Sequence, residues 1–277
     1  KKKLNFKNIF IFDEDLIIKF SKFKKISNKY LKNTIFYKDI QSRLTWYYQQ
    51  VLKISFIIDF VEKKSSKIII WDADTIILKK IIFFNNDLSI NHGTTSYYHR
   101  AYYDTNKLIL GRLPNYFISS LAQFISITPK ELKYLKKKLI KRKKKKKETG
   151  EWITKIVMEA VSKAHSQYNG SMFSEYELIG QSNLLNNFGK QKLISGIRDH
   201  LNGKASDLQI LILKFFGFKY IAYEYTHLNK NSKNMLSRKQ TWLNFFNILL
   251  NKLSNNTYRG LKHQINFAIS LFKPTPR

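Results

Sequence analysis

A helix-periodic stretch, SRLTWYYQQVLKISFIIDFVEK (residues 42–63), runs almost directly into an apolar one, SKIIIWDADTIIL (66–78). In the first, Leu44, Tyr47, Val51, Ile54 and Ile58 recur at the three- and four-residue spacing that places side chains on one helix face. The second is apolar at every position from Ile68 to Trp71, which reads as a strand buried on both faces rather than one at an edge. A helix feeding such a strand is the unit from which mostly parallel, helix-covered sheets are built, so the expected class is α/β.

The rest of the chain repeats this alternation less cleanly. KNIFIF (7–12) reads as a short strand and DLIIKFSKFKKI (15–26) as a helix. Residues 91–131 mix aromatic, Gly, Pro and His residues and suggest loops and short strands over a cleft. WITKIVMEAVSKAHSQY (152–168) is an amphipathic helix, and ASDLQILILKFFGFKYIAYEYTH (205–227) a helix capped by Ser206, stopped at Gly217 and followed by a strand. The Lys141–Lys147 run reads as a solvated helix end or loop, because like charges repel and have no core face. From Arg238 the chain is helical and basic, so the expected division is a catalytic domain over 1–235 and a C-terminal helical extension over 236–277.

Composition narrows the chemistry. A chain of 277 residues with 43% hydrophobic content can bury a substantial core, and the absence of Cys removes disulfides and thiolate metal sites together. Any metal would be held by oxygen or imidazole. The formal charge of +31 invites a polyanionic partner, but the excess is mostly Lys among abundant Ile, Asn, Phe and Tyr, the pattern of an A/T-rich coding sequence, and that bias takes the larger share. With no bilayer-length apolar stretch and no signal-peptide pattern, the expected location is cytoplasmic. The Lys at position 1 suggests a fragment lacking its start.

Asp72 and Asp74 stand at the end of the apolar run. On a strand, residues i and i+2 face the same way, so the two carboxylates would converge just beyond the strand's carboxyl end, where open α/β sheets bind ligands. Like charges that close call for a cation between them, and oxygen ligands select Mg²⁺ or Mn²⁺, which keeps positions open for substrate phosphates. The plainer alternative is that one Asp caps the next element and the other is exposed.

The string hydrophobic-D-x-D-T also matches the first motif of haloacid-dehalogenase-type phosphatases, with Asp72 as nucleophile. Such an enzyme needs a later acidic pair, and Asp87, Asp104, Asp199 and Asp207 form none. The stretches WYYQQVLK, WDADTIIL and FSEYELIG, in that order and spacing, resemble GT-A-fold, D-x-D-type nucleotide-sugar glycosyltransferases, and among them a bacterial glycosyltransferase-like family with W-Y-x-Q-Q, D-A-D and S-E-Y-E motifs. The resemblance spans roughly Asp39 to Tyr225. It implies a GT-A-like (Rossmann-like) fold whose opening strand and helix are missing here.

Trp46, Gln49, Gln50 and Lys53 fall at i, i+3, i+4 and i+7, a second helical stripe that is either plain surface or, as the resemblance implies, the part that binds the donor. Ser174 and Glu177 have the spacing of a capping box, which explains Glu177 without chemistry. The resemblance makes Glu175 the first candidate for general base and Glu177 the second. It also implies a histidine as third metal ligand: His200 is the better placed, His227 the reserve, and His92 and His99 are left to the acceptor or to no role.

The expected function is therefore a metal-dependent glycosyltransferase, inverting if Glu175 is the base. Its cofactor is Mn²⁺ or Mg²⁺, and it moves sugar from a nucleotide-sugar donor to a saccharide or lipid-linked acceptor, with an anionic membrane surface as a further partner. Two rivals remain, the phosphatase and a nucleic-acid-binding protein. The second rests on charge and 16 Tyr and lacks any helix-turn-helix, RNP-like or zinc pattern.

Overall fold

Phe23, Ser27 and Leu31 are buried at four-residue spacing along α1 (Phe20–Leu31). The computed structural model describes residues 11–61, 66–94, 99–114, 118–140, 148–164, 170–186, 189–198 and 205–222. After α1 come α2 (Tyr37–Ser42) and α3 (Leu44–Phe56), which continues as a π turn through Ile57–Val61. Four strands follow: β1 (Ile68–Trp71), β2 (Thr75–Ile77), β3 (Phe84–Asn85) and β4 (Leu88–Gly93). Then come α4 (Arg100–Leu110), β5 (Phe124–Ile127), α5 (Pro129–Ile140), α6 (Thr149–Lys163) and α7 (Glu175–Leu185). The last described elements are β6 (Gly189–Leu193), β7 (Gly196–Arg198), α8 (Asp207–Phe215) and β8 (Tyr220–Ala222). The protein is α/β.

The elements fall into two compact units. The first, residues 1–66, 101–112 and 132–175, is helical among its described residues. Its core is the mutual packing of α1, α3 and α6. The predicted α3 stripe is there in full: Leu44, Tyr47, Val51, Ile54 and Ile58 are all buried. Gly150, at the start of α6, is required by contact rather than by φ, since a Cβ there would lie 2.5 Å from the Ile17 carbonyl oxygen.

The second unit, residues 67–100, 113–131 and 176–277, holds every described strand. β1 pairs antiparallel with β5, from Ile68 opposite Ile127 to Trp71 opposite Phe124. A second sheet runs β2-β8-β7 and a third β3-β4-β6, each with one antiparallel and one parallel pair. Leu78, Ile197, Leu213, Phe218 and Ile221 form one core, with α8 supplying Leu213. Phe124, Tyr220, Ala122, Ile194 and Ala222 form another. α8 carries the expected cap: the Ser206 hydroxyl accepts the Gln209 amide at 3.3 Å while the Gln209 side chain accepts the Ser206 amide at 2.9 Å. The chain turns at Gly217 with φ +82°, a conformation that glycine adopts without penalty.

Three expectations need correcting. The pairing is mixed, not mostly parallel, because a continuous apolar run tells burial and not the direction of its partner. The run 68–77 is two strands in two sheets, broken at Asp72–Asp74, and among the described residues β1 has one partner strand, with Ile69 40% exposed, so it is not buried on both faces. Within 91–131 there is also a regular helix, α4. KNIFIF falls largely, and the Lys141–Lys147 run and the 236–277 extension entirely, outside the described residues. Among the described residues no helix is long and apolar enough to cross a membrane.

Candidate functional site

In the first unit, α3 reaches the segment Gly170–Glu175 with three side chains. The Tyr47 phenol donates to the Gly170 carbonyl at 2.6 Å and accepts the Met172 amide at 2.9 Å. One turn on, the Gln50 side-chain oxygen accepts the Glu175 amide at 3.1 Å. One turn further, Lys53 Nζ stands 2.7 Å from Glu175 Oε1. Residues three apart are neighbours on a helix surface, and these three side chains serve one neighbouring segment. Tyr47, Gln50 and Glu175 are all buried, and burial pushes the Tyr47 phenol well above its ordinary range. A carboxylate taken out of water is costly unless paired, and Lys53 supplies the pairing.

The polar stripe is thus divided. Gln50 and Lys53 are engaged with Glu175, whereas Trp46 carries the Arg43 guanidinium 4.5 Å above its ring, a cation–π contact, and Gln49 is exposed.

In the second unit, Asp72 and Asp74 occupy a tight turn between β1 and β2. The Asp72 amide donates to the Gln123 carbonyl at 3.0 Å, and its carbonyl accepts the Thr75 amide at 3.1 Å. The Trp71 indole donates to the Thr75 carbonyl at 3.2 Å, bracing the turn from its base. The expectation that strand alternation aligns the two carboxylates is corrected here, since neither residue is in a strand. Asp72 is half-buried and Asp74 exposed. Among the described residues no three His, Cys, Asp or Glu side chains cluster in a way that could hold a metal. Two carboxylates on one turn still fit Mg²⁺ or Mn²⁺, which takes one or two protein carboxylates and completes its shell with water and phosphate oxygens. His200 and His227 lie outside the described residues.

Glu177, two residues into α7, is fully buried and accepts the Ser119 hydroxyl and, at 3.2 Å, the Ser120 amide. It holds the loop before β5. His92 is also an interior residue: its Nε2 lies 2.9 Å from the Ile82 carbonyl oxygen and its ring stands edge-on to Phe83 and Phe124. Burial lowers its pKa. His99 is half-buried ahead of α4.

Sequence reasoning missed two features. Ser119 and Ser120 partner Glu177, and only their adjacency as a small polar pair marks them in the sequence. Gln123, whose carbonyl anchors Asp72, has φ +60°, a left-handed conformation uncommon for a residue with a side chain. Nothing in its neighbourhood announces it. In comparisons with known proteins, no family model, no curated protein and no solved structure matches the chain.

Proposed function

We propose that the protein is a metal-dependent glycosyltransferase of GT-A-like fold, transferring a sugar from a nucleotide-sugar donor to a saccharide or lipid-linked acceptor hydroxyl. The observation that carries the reading is the triple tie from Tyr47, Gln50 and Lys53 to the Gly170–Glu175 segment. It joins two of the three stretches on which the resemblance rests, 122 positions apart at Lys53 and Glu175, into one arrangement centred on a buried carboxylate. The acidic turn at Asp72–Asp74 supports it from the third stretch.

In this reading Asp72 and Asp74 would hold Mn²⁺ or Mg²⁺, which would neutralise charge on the departing diphosphate. Glu175 takes the acceptor hydroxyl proton as the oxygen bonds to the anomeric carbon and the carbon–oxygen bond to the diphosphate breaks, its electron pair leaving with the nucleotide. Direct displacement with Glu175 as base inverts the anomeric centre.

The test is a panel of UDP-, GDP-, CMP- and dTDP-sugars incubated with the intact chain and Mn²⁺, reading nucleotide release. One donor turned over, with loss on Asp74→Ala and on chelation, supports the assignment. No response to any donor, or turnover indifferent to Asp74→Ala, overturns it. Phosphate release from a phosphomonoester would point to the phosphatase instead.

A further inference from the structure

We infer that Lys53 is a positioning residue for Glu175 and not a ligand of the donor phosphates; this rests on the glycosyltransferase reading above. The stripe on α3 suggested that Lys53 offers its charge to a diphosphate. Its Nζ instead stands 2.7 Å from Glu175 Oε1, and the Glu175 side chain is 4% exposed against 27% for Lys53. An ammonium facing a carboxylate at that distance has most of its field cancelled for any anion further off.

The pair is also fixed at both ends. Gln50, one turn earlier on α3, accepts the Glu175 backbone amide at 3.1 Å, so the same helix sets where the residue sits and which way its carboxylate points. Tyr47 anchors the approach to it through Gly170 and Met172. The ammonium pairs the buried carboxylate and holds its direction. Lys53 acts through the Glu175 carboxylate that it holds, rather than on the donor.

The experiment compares the intact wild-type chain with Lys53→Met, Lys53→Arg, Glu175→Gln and the double variant Lys53→Met/Glu175→Gln, using the sugar nucleotide that the wild type turns over with Mn²⁺. Positioning predicts that Lys53→Met lowers kcat on the order of a hundredfold, as expected for a displaced catalytic group, while the donor KM stays within about twofold. Lys53→Arg recovers a large part of the loss, which also shows that a folded variant reports the effect. In the Glu175→Gln background, Lys53→Met has no further effect. A raised donor KM at unchanged kcat makes Lys53 a phosphate ligand and sinks the inference while leaving the glycosyltransferase reading intact, as do independent, multiplicative losses in the double variant. Absence of turnover by the wild type with every donor withdraws the reading and the inference together.

Discussion

The carboxylate of Glu131 accepts both donors of Ser89, the hydroxyl at 2.6 Å and the amide at 3.2 Å. Its other oxygen accepts the Thr128 amide at 2.6 Å, while the Glu131 amide reaches back to the Thr128 hydroxyl at 3.4 Å. Those last two bonds close a capping box at the start of α5, with Pro129 at the first helical position. Burial raises the Glu131 pKa despite these donors. A folded pKa above the unfolded one means that this group's contribution is complete below about pH 4.3 and is lost as pH rises through the folded value. Urea midpoints of the wild type, compared with Glu131→Gln, should therefore fall on going from pH 4 to pH 7. A gap that widens in favour of the wild type with rising pH contradicts this.

Alkaline stability has its own marker in Tyr48. Its buried hydroxyl donates to the Ile18 carbonyl at 2.7 Å, and burial pushes its pKa up to about 12. The stabilising contribution is present below about pH 10, the unfolded value for tyrosine, and drains away between there and the folded value. Tyr48→Phe should cost about 1 kcal/mol at pH 7 and flatten the decline in stability above pH 10. An unchanged alkaline slope by denaturant titration would rule Tyr48 out as its source.

Gly180, inside α7, is a packing requirement. A Cβ there would lie 2.0 Å from the Ser120 hydroxyl oxygen and 2.7 Å from its Cβ. Gly180→Ala should destabilise by about 1–3 kcal/mol through overpacking. Adding Ser120→Gly should recover much of that loss, since it clears both atoms. A double variant no more stable than Gly180→Ala alone, by thermal unfolding, would show that the contact is relieved elsewhere.

The acidic turn is held by main-chain groups and the Trp71 indole, and Asp74 Oδ1 also accepts the Thr75 hydroxyl at 3.4 Å. On the glycosyltransferase reading, Asp72→Asn and Asp74→Ala should each cost no more than about 1.5 kcal/mol, the size of one hydrogen bond, while abolishing Mn²⁺-dependent nucleotide release. Loss of activity accompanied by a large fall in melting temperature would assign the pair a structural role.

Local features of this fold were legible in the sequence. The α3 stripe from Leu44 to Ile58 and the Ser206–Gln209 cap depend on residues a few positions apart, so periodicity and cap chemistry suffice to find them. The pairing of β1 with β5 depends on a strand more than fifty positions away, which no local pattern specifies. The same holds at the candidate site. Asp72, Asp74 and Glu175 stood out as carboxylates in an excess of lysine, whereas the bond from Gln50 to the Glu175 amide spans 125 positions and had no signature beyond its place on the stripe. Strand alternation misled at Asp72 because a turn, favoured by Asp at both positions, ended the strand one residue earlier.

The chain passes from one unit to the other between Ser66 and Lys67, Arg100 and Ala101, Arg112 and Leu113, Glu131 and Leu132, and Glu175 and Tyr176. No contiguous stretch of gene therefore encodes either body by itself. A clone ending at any of these junctions would leave one body short of the helices or strands that arrive later, and ribosomal synthesis must run past Glu175 before the helical body has all its parts. Swapping or grafting either body into another protein would demand several splices at once, which ties the two together in inheritance as well as in covalent structure.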